Sequence, residues 1–236
     1  SGLMRPSAGR VSVGTYDLGK LTDAELSRLR GTDLGVVLQG AARNLLPYAS
    51  LHRNVWLAQR RAAGGAGISL DDPERILDLV GLRGRAGAKV GDLAPGARQR
   101  AALAVGVAAS PGLLLVDEPT SQLDTRGRDE VLDALETVNA ERGTTIVVVT
   151  HDAEVGARLG RAVTIRDGRV GAEGRDGQDF AVVAGDGTVQ LPPEVLGDFP
   201  PGTLFTVAHV DGVVNLVVGG ATVASAPADD RTAGRG

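Results

Sequence analysis

Residues 113–120 read Leu-Leu-Leu-Val-Asp-Glu-Pro-Thr, an apolar run that ends in two adjacent carboxylates and a proline. A second apolar run covers residues 144–150 and ends at His151. Between the two runs, apolar residues recur at helical spacing from Thr125 to about Arg142. Continuous apolar runs are typical of parallel strands buried on both faces. Strand, helix and strand of these lengths predict a βαβ unit, and hence an α/β fold.

The rest of the first 110 residues also alternates between strand-like and helix-like segments. Thr22 and Glu25 have the spacing of a capping box, which predicts a helix over residues 22–30. Asp72 and Pro73 predict the start of another helix. The remaining expected elements are short strands over residues 11–13 and 35–38 and a helix over residues 96–109.

Asp117 and Glu118 stand where a parallel strand ends, and ligands of open α/β sheets gather at that edge. One carboxylate there can hold Mg²⁺, and the next can polarise an attacking water. Taken alone, the pair could equally be a solvated strand end.

The composition narrows the class of protein. The chain has 236 residues, a formal net charge of −4 and 42% hydrophobic residues, which excludes wholesale disorder and a generally basic nucleic-acid binder. It has no cysteine and three scattered histidines (His52, His151 and His209), which disfavours a zinc centre. No apolar stretch approaches the ~20 residues needed to span a bilayer, and no signal peptide opens the chain, so a cytoplasmic protein is expected.

Further motifs surround the carboxylate pair in a fixed order. Ser-x-Leu-Asp follows at residues 121–124, and His151 comes directly after the next strand. Upstream, Gln39 ends an apolar run, Asn-Leu-Leu-Pro occupies residues 44–47 and Asn-Val residues 54–55, and residues 93–100 open a helix. Over residues 1 to about 172 this succession resembles the ATP-binding cassette ATPases of the lipoprotein-release and macrolide-export type. The resemblance implies a P-loop NTPase-type parallel sheet with a helical subdomain.

That resemblance also implies roles for individual side chains in the hydrolysis of ATP. Asp117 would hold Mg²⁺, and Gln39 would complete the metal and water shell and sense a transporter partner. Glu118 would be the general base that orients water at the γ-phosphate, and His151 would contact that phosphate. Positioning and charge neutralisation supply most of the catalysis in phosphoryl transfer.

Two further residues would belong to the contact between two ATPase subunits. Asp124 would lie at the dimer seam. Gly96 would be the residue that survives from the family signature Leu-Ser-Gly-Gly-Gln, which presents a hydroxyl and N–H groups to the partner's nucleotide. Here Ala94, Pro95 and Ala97 remove the hydroxyl, one N–H and the amide. The alternatives are a loosely constrained working site and a degenerate half-site, and we expect weakened function.

The family's phosphate-binding loop, Gly-x4-Gly-Lys-Ser/Thr, is not found in this sequence. Residues 14–20 match its first seven positions, but Leu21 replaces the hydroxyl residue and the capping box places the helix start at Thr22. We therefore expect the loop to lie upstream of Ser1 in a longer reading frame, which would leave the sheet core incomplete. On that hypothesis, residues 1–236 alone are inactive.

The charge changes sign near residue 175, which predicts a domain boundary there. No Lys or Arg occurs from Asp176 to Asp230, against eight acids. We expect an ATPase domain over residues 1–175, a small all-β appendage over residues 176–225 and a disordered tail over residues 226–236. The spacing Gly-x-Val-x-Leu-Pro-x-Glu at residues 187–194 resembles the swapped-hairpin domain of bacterial transition-state regulators. Without basic residues the appendage would repel phosphates, so no nucleic acid partner is expected. Dimerisation, regulation and a merely decorative extension remain open.

The resemblance implies an overall function. The chain would be the ATP-binding and ATP-hydrolysing subunit of a transporter, an exporter, that acts on a separate integral-membrane permease together with a second ATPase subunit. It would lie at the cytoplasmic face of the plasma membrane through that permease. The alternatives are a catalytically silent regulatory or interaction subunit, suggested by the altered signature, and a transcription-linked protein acting through the appendage.

Overall fold

The computed structural model describes residues 8–63, 70–166, 169–175 and 178–181, and beyond these 183, 187–189, 191, 197–199, 202–210 and 213–218. The chain divides into two compact units, residues 1–159 and residues 160–236. Among the described residues, no helix combines the length and the apolar character needed to cross a membrane.

The first unit alternates helices and short strands. Its strands are β1 (Ser12–Val13), β2 (Tyr16–Asp17), β3 (Leu34–Val37), β4 (Leu113–Asp117) and β5 (Thr145–Val149). Its α-helices are α1 (Asp23–Thr32), α2 (Leu51–Ala63), α3 (Pro73–Leu79), α4 (Pro95–Val107), α5 (Thr125–Arg142) and α6 (Ala153–Arg158), with 3₁₀ turns at Ala41–Arg43 and Val90–Asp92.

The central sheet of this unit is parallel, in the order β3-β4-β5. Its register pairs Val37 with Val116 and Asp117 with Val149, so all three strands end at one edge. Helix α5 connects β4 to β5 and runs over the predicted residues. The βαβ unit and the α/β fold are confirmed.

The predicted helix starts are also confirmed at the level of single hydrogen bonds. The Thr22 hydroxyl accepts the Glu25 N–H at 3.3 Å, and the Glu25 carboxylate accepts the Thr22 N–H at 2.7 Å. The Asp72 carboxylate accepts the Glu74 N–H at 2.8 Å, with Pro73 as the first helical residue. These bonds satisfy N–H groups that a helix cannot pair internally.

The sheet differs from expectation in its burial. One face packs on a core that includes Leu114, Val116, Leu103 and Leu135. On the other face, α1 and its neighbours cover Leu34 and parts of β3 and β4. That cover does not extend to β5, where Val147 is 45% and Val149 61% exposed. The expectation of burial on both faces is therefore wrong for β5, because continuous apolar sequence does not reveal how far a covering helix reaches.

The second unit is built from antiparallel strands. Strands β6 (Arg161–Arg166), β7 (Arg169–Arg175) and β8 (Gln178–Ala181) form one sheet, and β9 (Phe205–Val210) pairs with β10 (Val213–Val218) as a hairpin. The β7–β8 ladder continues across residue 175, so the structural division comes earlier than the change in charge. The functional limits of the domains stay predictions.

The predicted tail at residues 226–236 lies outside the described residues.

Candidate functional site

Glu118 follows β4 in an unusual backbone conformation. Its N–H donates to the Val149 carbonyl at 2.8 Å, and its φ is +46°. The left-handed region is costly for a residue with a Cβ, by roughly 1–3 kcal/mol, and the following Pro119 restricts the backbone further. Surrounding contacts therefore hold Glu118 in place, as is typical of functional positions.

Those contacts join Glu118 to the residues that follow β5. Its Oε1 accepts the His151 N–H at 3.1 Å and lies 2.7 Å from His151 Nδ1, while Oε2 accepts the Thr150 hydroxyl at 3.3 Å. The Glu118 side chain is 15% exposed and that of His151 84% exposed. The hydrogen bond and the negative charge of Glu118 raise the pKa of His151 above its ordinary value. The structure thus pairs a shielded carboxylate with an imidazole that favours its cationic form.

A cleft of about 400 Å³ opens in front of this pair. Apart from Ala153, its lining is polar: Glu118, Thr120, Ser121, Gln122, His151 and Asp152. The Ser121 hydroxyl donates to the Glu118 carbonyl at 3.1 Å, which tightens the turn after the strand. The predicted base and the predicted histidine therefore face one common cleft.

Asp117 and Gln39 lie at the same edge of the sheet but outside the lining of this cleft. Asp117 is the last residue of β4 and Gln39 comes two residues after β3; both are exposed. Within the described part of the chain, neither side chain has a hydrogen bond or ion pair that would occupy its oxygens. Hard oxygen ligands of this kind fit Mg²⁺, which keeps several waters and takes few protein ligands.

The loop that carries Gln39 is fixed by two asparagine side chains. Asn44 accepts the Leu38 N–H at 2.9 Å and donates to the carbonyls of Leu38 at 2.8 Å and Gly40 at 3.2 Å. Asn54 accepts the Leu46 N–H at 2.7 Å and donates to the carbonyls of Leu46 at 3.3 Å and Ser50 at 3.0 Å. Each amide pairs with the N–H and C=O of one residue, as a strand would.

Sequence reasoning assigned no role to these asparagines or to Thr150. The asparagines could have been predicted to fix a loop, because a side-chain amide offers both a donor and an acceptor to the backbone. Thr150 follows an apolar strand and gave no such signal.

Gly96 and Asp124 both contact Gly127 at a second place, where α4 packs on α5. Asp124 caps α5, and its Oδ1 accepts the Gly127 N–H at 2.8 Å. A Cβ placed on Gly96 would lie 3.0 Å from the Gly127 Cα, so this buried glycine permits the close approach of the two helices. Ala94 occupies the N-cap of α4 without a side-chain hydrogen bond. Neither Gly96 nor Asp124 lines the cleft.

The described residues at the carboxyl edge of the sheet offer carboxylate and amide oxygens and one imidazole, but no cation for further phosphates. No Lys or Arg lines the cleft. Residues 14–20 form part of the β1–β2 hairpin and its turn, and Lys20 lies 3.9 Å from Asp17. This stretch is therefore not a phosphate loop. Among the described residues there is no cluster of three or more His, Cys, Asp or Glu side chains that could hold a metal.

Known proteins resemble this chain over about three quarters of its length. The family model described as ABC transporter matches residues 1–121. The lipoprotein-releasing system ATP-binding protein LolD of Geobacter metallireducens is 39% identical over 171 residues, which cover 72% of this chain and 75% of that protein. The macrolide export ATP-binding/permease protein MacB of Rhodopirellula baltica is 39% identical over 175 residues, covering 73% of this chain and 25% of that protein.

A solved structure shows the same fold. It is the dimeric post-hydrolysis state of the ATP-binding cassette MJ0796 bound to ADP and Pi, with a TM-score of 0.64 and 31% sequence identity, covering 76% of this chain and 78% of that one. ATP hydrolysis is the activity of this family. On the family match, the two relatives and this structure together, the chain belongs to the ABC transporter family, among its ATP-binding proteins of the lipoprotein-release and macrolide-export type.

Proposed function

We propose that this chain supplies the hydrolytic side chains of an ATPase subunit that drives a separate integral-membrane permease, as an exporter. The observation that carries the proposal is the Glu118–His151 pair facing the cleft at the carboxyl edge of the parallel sheet. Similarity to proteins named for lipoprotein release and macrolide export supports the export direction.

In this proposal each residue has a separate task. Asp117 and Gln39 hold Mg²⁺, which neutralises charge on the phosphates. Glu118 accepts a proton from water as the water oxygen bonds to the γ-phosphorus and the bond to the ADP oxygen breaks. His151 contacts the γ-phosphate, and the raised pKa of its imidazole favours the cationic form that an anion attracts.

Coupling to a permease is supported by the surface around Gln39. Leu38 and Leu46 are 39% and 38% exposed, and Tyr48 is 77% exposed. Contiguous exposed apolar side chains are typical of protein interaction sites. A second ATPase subunit would complete the dimer, with Asp124 and the start of α4 at the seam. Association with the permease would place the chain at the cytoplasmic face of the plasma membrane.

A chimera tests the hydrolytic role. The loop-bearing N-terminal segment of a lipoprotein-release relative is fused ahead of Ser1, and vanadate-sensitive ATPase activity is measured. Glu118→Gln should lower kcat by about 10²–10⁴-fold, because it removes the general base. Glu74→Gln, the same chemical change on the surface of α3, should leave kcat unchanged. Equal activity in both variants would refute the assignment of Glu118.

The altered start of α4 favours the second candidate, a catalytically silent subunit. Ala94 gives no side-chain cap, and Pro95 has no N–H to offer a phosphate. In the same chimera, Ala94→Ser with Pro95→Gly should raise the rate of single-turnover hydrolysis if these residues weaken a working site. A rate that stays at background in both proteins would instead support the silent subunit.

A further inference from the structure

A long segment of this acidic protein contains no acidic residue. Between Asp33 and Asp71 the sequence has four arginines and neither Asp nor Glu, in a chain whose formal net charge is −4. A segment of this length would carry several acids at the average density of the chain. The segment includes all of α2, so the charge of the protein is locally inverted on one helix.

On the outward face of α2, two arginine side chains stack on the only tryptophan of the chain. The guanidinium carbon of Arg53 lies 4.1 Å from the centroid of the Trp56 ring, and that of Arg60 lies 4.9 Å from it. Arg53 and Arg60 are exposed and Trp56 is half-buried. The stacks hold both cations beside one amphipathic ring on one side of the helix.

A neighbouring segment adds further positive charge at the start of this helix. The Leu51 N–H donates to the Ala88 carbonyl and the His52 N–H to the Ala86 carbonyl, so residues 85–89 run alongside the first turn of α2. This segment carries the exposed side chains of Arg85 and Lys89.

None of these four cations is neutralised by a carboxylate in the part of the chain that the structure describes. Several other exposed arginines are paired: Arg75 contacts Glu141 at 3.1 Å, and Arg83 contacts Asp78 at 2.5 Å. We call Arg53, Trp56 and Arg60, together with Arg85 and Lys89, the α2 basic face. Arg28 and Arg43 are also exposed without an ion pair to any described residue, but each stands singly, whereas the α2 basic face combines four cations with one tryptophan.

We infer that the α2 basic face binds the anionic headgroups of phospholipids at a membrane surface. A tryptophan flanked by arginines on one side of a helix suits the interface, where the ring meets the headgroup level and the guanidinium groups meet phosphates. The apolar groove of the same region, lined by Leu57 and Ala58, lies on a neighbouring side of α2 and would stay free for a protein partner. This inference is independent of ATP hydrolysis and goes beyond the proposed function.

Trp56 makes the test direct, because it is the only tryptophan in the protein. The whole chain is mixed with vesicles of phosphatidylcholine with and without phosphatidylglycerol, and binding is followed by Trp56 fluorescence and by co-sedimentation. We expect a blue-shifted emission and co-sedimentation only with phosphatidylglycerol, and weaker binding as salt rises. Arg53→Gln with Arg60→Gln should lower the partition constant by about thirty-fold, since each basic residue near the surface contributes roughly fivefold.

The matched control changes the same number of charges elsewhere. Arg75→Gln with Arg83→Gln removes two exposed arginines that already have carboxylate partners, and it should bind vesicles like the parent. Far-UV circular dichroism verifies that both double variants keep their helices. Equal losses in the two variants would show that net charge alone drives binding and would overturn the inference. So would equal binding to pure phosphatidylcholine, or binding to polyglutamate or duplex DNA without binding to vesicles.

Discussion

Asn54→Ala tests whether a buried amide fixes the loop that carries Gln39. The Asn54 side chain is 5% exposed and makes three hydrogen bonds to the backbone. After its removal the Leu46 carbonyl still accepts the Ala49 N–H, and the Ser50 carbonyl still accepts the backbone N–H of residue 54. Only the Leu46 N–H loses its sole partner.

The magnitude follows from this inventory. Two lost bonds whose carbonyls keep another partner cost about 1 kcal/mol each, and the stranded N–H costs about 1–3 kcal/mol. The free energy of unfolding should therefore fall by about 3–5 kcal/mol. Asn44→Ala is the matched control, because its side chain also makes three backbone bonds, but in an exposed setting where water replaces them. It should cost only about 1 kcal/mol.

Urea unfolding followed by the fluorescence of Trp56 measures both variants, since this probe lies on α2 itself. We expect a lower midpoint with an unchanged slope for each variant and the larger shift for Asn54→Ala. Equal losses of stability in Asn44→Ala and Asn54→Ala would show that burial does not strengthen the hydrogen bonds of Asn54. That result would refute the reasoning.

Two further predictions concern the cleft and the helix contact. Glu118→Gln should lower the pKa of His151 toward its ordinary value, because the largest cause of the raised pKa is the hydrogen bond to that carboxylate; NMR titration of the three histidines measures it, and an unchanged pKa would contradict the pairing. In the parent, the Glu118–His151 pair should stabilise the fold fully at pH values below about 6.5, the pKa of His151 in the unfolded chain. This stabilisation should be lost as the pH rises through the higher pKa of His151 in the folded protein. The variant should not show this pH dependence. Gly96→Ala should lower the free energy of unfolding by about 1–2 kcal/mol, because the new Cβ would press on the Gly127 backbone. This cost exceeds the gain in helix propensity from Gly to Ala. Gly31→Ala in α1, where a Cβ meets nothing within 4 Å, should instead stabilise by up to about 1 kcal/mol, and similar signs for the two changes in thermal unfolding would contradict this account.

Local patterns in the sequence determined the order of the elements and the edge at which the site lies. Thr22 and Glu25 predict a helix start because their bonds close within one turn. The apolar run before Asp117 predicts a parallel strand because both runs and the intervening helix have the right lengths. Asp117 and Glu118 could be named in advance because they close such a strand. His151 could be named because the succession of motifs resembles a known family.

Only the tertiary structure decided which of these residues meet. The Glu118–His151 contact spans 33 residues and depends on the β4–β5 register and on a left-handed backbone at Glu118, neither of which a local pattern encodes. The same holds for Gly96, whose closest neighbour is the backbone of another helix, and for β5, whose outer face stays exposed. Periodicity reports which side chains share a face, whereas packing between distant elements determines what that face touches.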